Sequence, residues 1–416
     1  MPPRCATGSS AFNFDLAAPA GWAYAPGDTI IGSLVRKLPI VTPNASISLS
    51  FAGRMKVKIT MIREQNSESF NLDTWQLVDV HETVIFKGPL HLAKGSDESL
   101  SWPFSVNIPY EPMEFCRQNH SQKCSFVPLN ADHPAHHILP GSFYSESSGW
   151  SNTSSYECVE YYLKARMEYH SGGYDKLYEA VCPITLRHSV AKTSGIPKML
   201  KQPRLVCSHR LLSGMEAADL SLKQHAQKFF YSSEVPTFYF DLLFTVPTSI
   251  QLDDPTPMPL QLEIMPDLEK TSDDIKDVAQ TIRILDIEAI LHVKTHSLAA
   301  GNFTDSVHDN QYDVKLGLGL QRIFTALEEP LVITTGKGNA PLNIGNMFRL
   351  TLHELGVKAG NRMMHLESWS GILIGPSFRT YNIQRTHSLE WKLSLEIAGE
   401  KQKFKFWQSV EIIAPA

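Results

Sequence analysis

The sequence lacks the marks of the common enzyme classes. It has no Gly-x-Ser-x-Gly elbow, no His-Glu-x-x-His pair, no P-loop and no dinucleotide-binding glycine motif. Gly317-Leu-Gly319 and Gly336-Lys-Gly338 are missing the other glycines and the following helix that a phosphate cradle needs. Ser189-Val-Ala-Lys192 has the spacing of a Ser–Lys nucleophile pair, but no helical pattern surrounds it to align the two side chains. Residues 1–10 have no apolar signal core, and no run of about 18 apolar residues occurs anywhere. In a chain without a secretion signal, the cysteines at 5, 116, 124, 158, 182 and 207 are expected to stay reduced. The sequons at Asn44, Asn119, Asn152 and Asn302 are then expected to meet no glycosylation machinery. Charge is modest, 19% of residues with a net value of −5, which argues against a dedicated nucleic-acid binder. These absences predict a cytoplasmic protein that is not an enzyme and needs no cofactor.

What is present is β-structure. The chain has 416 residues, more than one hydrophobic core of about 250–300 residues organises, so two domains are expected. Leu49, Phe51, Gly53, Met55, Val57, Ile59 and Met61 alternate with Ser50, Ala52, Arg54, Lys56, Lys58 and Thr60. The same period of two runs through residues 161–169 and 389–397. Over such lengths it means antiparallel strands with one face on a core and one in water. Proline and glycine punctuate the remainder at short intervals, as many short strands require. Helical pattern is confined to residues 271–280, where Thr271 and Asp274 have capping-box spacing. No carboxylate occurs between Glu179 and Glu216, an interval that holds Arg187, Lys192, Lys198, Lys201, Arg204 and Arg210. Its middle, 189–204, lacks a strong pattern and is expected to be a basic interdomain linker. Residues 110–150 are polar and rich in His, Ser and Pro, and are expected to be a long loop insertion. The fold class predicted is all-β, two tandem immunoglobulin-like β-sandwiches, with domains at 1–188 and 205–416.

Several segments resemble arrestin-type domains, in the order that family has them. Tyr24-Ala-Pro-Gly-Asp-Thr-Ile-Ile-Gly32 is similar to the early strand, with Pro26-Gly27 suited to a type II turn. Ile47-Ser-Leu-Ser-Phe-Ala-Gly-Arg-Met-Lys-Val57 resembles the next strands, where a glycine precedes a basic alternating stretch. Ser101-Trp-Pro-Phe-Ser-Val-Asn-Ile-Pro109 matches an aromatic-rich strand ending in proline. Leu139-Pro-Gly-Ser-Phe143 and Val159-Glu-Tyr-Tyr-Leu-Lys-Ala165 look like the family's loop and following strand. Ser377-Phe-Arg-Thr-Tyr-Asn-Ile-Gln-Arg385 and His387-Ser-Leu-Glu-Trp391 resemble late strands of the second domain, particularly in fungal-type α-arrestins. The resemblance implies two arrestin-type β-sandwiches and a non-enzymatic adaptor. Such adaptors bind cytoplasmic parts of membrane proteins, bring a HECT-type ubiquitin ligase to them and promote endocytosis. The chain departs from that pattern in carrying no Pro-Pro-x-Tyr or Leu-Pro-x-Tyr motif, so the ligase would have to come through a bridging partner. Phe12-Asn-Phe-Asp-Leu16 also lacks the adjacent lysines with which classical arrestins sense phosphate. A coat- or retromer-like trafficking subunit of the same fold, and a β-sandwich hydrolase or carbohydrate-binding module, are the competing expectations.

Arg54, Lys56 and Lys58 are the candidate partner-binding residues. At i, i+2 and i+4 on one strand they are about 7 Å apart and share a face. That face is expected to be the solvent side, attracting an acidic cytoplasmic tail or an anionic membrane surface unless cross-strand carboxylates offset it. Cys116-x3-His120-x3-Cys124, followed by His133, His136 and His137, has ligand types but matches no zinc framework, and no metal is expected. The tryptophans at 102, 369, 391 and 407 are expected to be core anchors.

Overall fold

The computed structural model describes residues 12–415, apart from 63–67, 79–80, 96, 119, 131–137, 149–152, 172, 189–194, 217, 230–233, 302–305, 337–339 and 368–372. The described residues are mostly strands in antiparallel-dominated sheets, so the chain is all-β as its alternation predicted. It divides into two compact units. The first comprises residues 1–189 together with 295–312 and 378–385; the second comprises 190–294, 313–377 and 386–416. Among the described residues no helix is long and apolar enough to cross a membrane.

The first unit is organised by two long strands, Ile40–Ile62 and Thr153–Ser171, paired antiparallel from Ala45 opposite Tyr169 to Met61 opposite Thr153. Glu68–Val78 and Thr83–Leu92 flank the former, and Phe143–Ser148 and Tyr174–Leu186 flank the latter. A three-stranded sheet of Asn13–Leu16, Thr29–Arg36 and Leu100–Asn107 supplies the other layer. One hydrophobic cluster joins the layers: Ile30, Leu34, Trp102 and Phe104 come from the small sheet, and Ile47, Leu49, Leu163 and Ala165 from the large one. The same cluster includes Ala299, Tyr381 and Ile383 from the second half of the chain. The Pro26-Gly27 turn forms as its residues suggest. Asp28 N–H bonds Ala25 O at 3.1 Å, and Gly27 has φ +90°, which costs glycine little.

In the second unit, Lys198–Cys207, Thr237–Val246, Gln261–Pro266 and Leu342–Asn343 form one sheet. Another is built around Glu400–Ile413 and this unit's parts of the strands Thr281–Ala300 and Ile383–Ile397, residues 281–294 and 386–397. Phe238, Phe240, Phe244, Trp391, Leu393, Phe404 and Phe406 meet in its core, where Phe244 stands edge-on to Trp391 with ring centroids 5.3 Å apart.

Three local expectations are corrected. The segment 189–204 is not wholly a linker: from Lys198 it is an edge strand pairing with Thr237–Val246. Lys198 and Arg204 on the inward parity of Leu200 and Val206, with Met199 and Leu205 exposed on the other, obscured the period of two, because an edge strand keeps charge even toward its inner side. Residues 110–150 are not a bare insertion. They contain the short helix Glu114–Gln118, a 3-10 turn at Gln122–Cys124 and the strand Phe143–Ser148. Cys116, Cys124, Val127, Leu139 and Phe143 anchor the region in the first core. At 271–280 only a single 3-10 turn forms, Asp273–Ile275, without a capping box. The buried Thr271 hydroxyl bonds Asp267 O at 2.8 Å instead, tying the turn to the preceding strand.

Gly53 shows why a glycine precedes the basic stretch. It lies opposite Tyr161, at a register shift against Glu68–Val78. A Cβ there would come within 2.4 Å of the Tyr161 ring. Tyr161 cannot give way, because it is buried, stacks on Phe51 at 6.1 Å and donates its hydroxyl to Pro140 O at 2.7 Å. Gly53→Ala is therefore expected to destabilise the protein by about 1–3 kcal/mol through overpacking. The midpoint of a urea titration monitored by tryptophan fluorescence checks this.

Candidate binding surface

The basic strand face predicted from sequence exists, but it is not open. Arg54, Lys56 and Lys58 do share a face of Ile40–Ile62, and the register places Glu160 directly opposite Arg54. One carboxylate oxygen of Glu160 takes both Arg54 Nε at 2.6 Å and Lys56 Nζ at 2.7 Å. The Lys56 side chain is only 4% exposed and that of Glu160 only 6%. The Arg54 guanidinium also lies over the Tyr162 ring, 5.7 Å from its centroid. The expectation of a solvated anion-attracting stripe is thus corrected at Arg54 and Lys56. Large side chains on the outward parity of the neighbouring strand, Glu160 and Tyr162, cover and neutralise them. Lys58 differs, being half-buried with its ammonium 4.9 Å above the ring of the exposed Phe70.

Behind this sheet lies a buried polar cluster that periodicity concealed. Glu157 has no solvent exposure and accepts from Ser297 Oγ at 2.9 Å and from Tyr312 Oη at 3.5 Å. Asn310 donates to Ser155 Oγ at 2.6 Å, Ser147 and Ser155 share a hydroxyl bond of 2.8 Å, and Tyr312 also bonds Ser145. Burial raises the Glu157 carboxyl above its ordinary value, and the surrounding hydroxyls offset this only in part. Ser297, Asn310 and Tyr312 are over 130 residues from Glu157 in sequence, so no local pattern could connect them.

Two of the segments that carried the family resemblance, 139–143 and 377–385, meet beside this cluster. Phe143 meets Phe378 edge-on at 4.8 Å and lies 5.6 Å beneath the Arg385 guanidinium. His188 stacks on the same Phe378 at 4.8 Å; burial, with the nearby Arg385 charge, pushes its imidazole down to about 4, so it is neutral here. Burial likewise disfavours the charge on Arg385.

The other candidates fall out differently. Cys116 and Cys124 point into the apolar core, and burial drives the Cys116 thiol up to about 12. His120 stacks on Trp75 at 3.7 Å, with its ring nitrogens beside Cys116 O and Thr74 O. His133, His136 and His137 lie outside the described residues, as do Ser189, Lys192 and Trp369. Trp102 and Trp391 are core anchors, as expected. Trp407 is not: it is 48% exposed, since Phe404 and Phe406 take the inward positions and leave it on the outward parity. It shares that face with Lys401, Lys403 and Lys405, a row that the alternation of Lys401-Gln-Lys-Phe-Lys-Phe-Trp407 could have revealed. Lys405 Nζ reaches Glu390 at 2.7 Å and lies 5.2 Å over the Trp407 ring.

No family model matches the chain, and no curated protein matches it.

Two outcomes follow from the buried charges. Glu160→Gln leaves Arg54 and Lys56 without their carboxylate and is expected to cost about 3 kcal/mol in a urea titration. Glu157 is an acid whose folded value is raised, so the folded state holds its proton to higher pH than the unfolded chain does. Its contribution makes stability fall as pH rises from the ordinary carboxylate value of 4.5 through the raised value. Glu157→Gln should therefore be more stable than the parent at neutral pH, with the two converging in acid. Thermal midpoints across that range measure the difference.

Proposed function

We propose that the chain is a non-enzymatic, arrestin-like adaptor of two β-sandwich units, closest in kind to the α-arrestins. It binds cytoplasmic parts of membrane proteins and promotes their ubiquitination, endocytosis or trafficking from the cytoplasmic side of the plasma membrane or endosomes. One observation carries this reading. The segments resembling the family lie on strands or turns, and two of them, distant in sequence, meet where Phe143 packs against Phe378 and beneath Arg385. A resemblance built of unrelated short matches has no reason to converge in space.

Binding in such a scaffold comes from sheet faces and loops held by rigid cores. On the first unit, the Lys58–Phe70 pair is the accessible remnant of the basic face and is a fitting contact for a cargo segment. Arg54 and Lys56 serve that face indirectly, by holding Glu160 and keeping the strands in register. Two units on one chain let individually weak contacts act together.

Proximity labelling of the full chain in its own cells tests the reading, with Lys58→Glu as the companion variant because it leaves the Arg54–Glu160–Lys56 cluster intact. The expected outcome is enrichment of membrane proteins and a ubiquitin ligase, with cargo labelling reduced in the variant. Recovery of one stoichiometric coat complex, or of soluble proteins alone, would sink it.

A further inference from the structure

The second unit carries a basic edge that the adaptor reading does not use. The edge strand Lys198–Cys207 of one sheet runs beside Glu400–Ile413 of the other. The contacts fix the alignment. Ser208 Oγ reaches Ala398 O at 3.4 Å, and Arg204 Nη2 donates to Lys403 O at 3.2 Å. At the far end, Thr248 joins the two strands, donating its hydroxyl to Ile196 O at 3.0 Å and accepting Glu411 N–H at 2.9 Å. Arg204 thus lies alongside Lys403, Lys401 falls toward the Ser208 end, and Lys198 falls toward Glu411.

Carboxylates neutralise only part of this edge. Asp241 takes Lys201 at 2.7 Å and Glu390 takes Lys405 at 2.7 Å. Glu396 stands opposite Lys401 in register, but its carboxylate is 3.6 Å from Arg283. Among the described residues, Lys198, Arg204, Lys401 and Lys403 have no carboxylate at ion-pair distance; Lys198, Lys401 and Lys403 are exposed, while Arg204 is half-buried. A large apolar side chain stands in the outward row of Lys401, Lys403 and Lys405: Trp407, 48% exposed.

We propose that this edge docks on an anionic phospholipid bilayer. It names the membrane surface on which the proposed adaptor would act, and rests on that reading only for its biological setting. Lysines on long stems reach headgroup phosphates, and each basic residue near a negatively charged leaflet adds attraction that decays within a Debye length. Tryptophan favours the headgroup level, where its ring is in apolar surroundings and its N–H in polar ones. An acidic peptide would use the charges but has less need of the exposed Trp407, so the combination favours a bilayer.

The test is co-sedimentation of the purified full chain with vesicles of phosphatidylcholine, with and without phosphatidylserine. Binding is expected only with phosphatidylserine and is expected to weaken with added salt. Lys401→Glu with Lys403→Glu should lower the apparent affinity at least about tenfold. The thermal midpoint should be unchanged, because neither lysine is in an ion pair among the described residues. Trp407→Ala is expected to weaken binding at constant charge. Equal binding to pure phosphatidylcholine, no binding to either vesicle, or undiminished binding by the double lysine variant overturns the proposal. Binding to polyglutamate but not to vesicles, lost in that variant, overturns it in favour of an acidic polypeptide. No cargo is present in this assay, so its failure leaves the cell-labelling outcome standing, and the reverse also holds.

Discussion

The pairing of Ile40–Ile62 with Thr153–Ser171 sets the register on which the first unit depends. Side chains alternate faces with a period of two, so a slip of one residue would exchange the core and outer faces of both strands. In the observed register Gly53 lies beneath Tyr161, and Glu160 comes within reach of Arg54 and Lys56. Glu157 is turned toward Ser297 and Tyr312. Steric fit and electrostatics therefore enforce the same alignment. A shifted pairing would place a Cβ against the tyrosine ring and leave Arg54 and the buried Lys56 without their carboxylate.

The buried charges in this unit have different physical standing. Glu160 is paired on both sides, and its attraction to two cations offsets the loss of water. Glu157 has only hydroxyl donors, so the low-dielectric interior opposes its charge. One carboxylate holds strands together in its ionised form, whereas the other is a standing cost at neutral pH. They are three positions apart on the same strand, and their opposite facing decides which behaviour each shows.

The basic character of the chain is likewise redistributed by tertiary contacts. Arg54 and Lys56, prominent in the sequence, are spent internally, whereas Lys401 and Lys403 stay exposed. The difference lies in position within the sheets. Ile40–Ile62 is central, with strands on both sides, so its outward side chains meet neighbours from each. Along most of its length Glu400–Ile413 pairs on one side only, with Ile383–Ile397. Outward residues on such a strand are covered from one direction at most, which is where charge survives to meet a partner.

Alternation in residues 49–61, 161–169 and 389–397 was enough to determine the strands, their inward residues and the all-β class, because a period of two leaves only one way to bury an apolar face. The Pro26-Gly27 turn was legible for a similarly local reason, the backbone preferences of its own residues. Periodicity could tell that Lys56 faces away from the core, but not that Glu160 would bury it, and it placed Glu157 inward without supplying the hydroxyls that tolerate it there. It also could not assign residues 295–312 and 378–385 to the first unit, nor reveal that Lys198 begins an edge strand. Those outcomes belong to the tertiary structure alone, because they depend on residues from dozens to more than a hundred positions apart being brought into contact, and local sequence holds no record of such pairings.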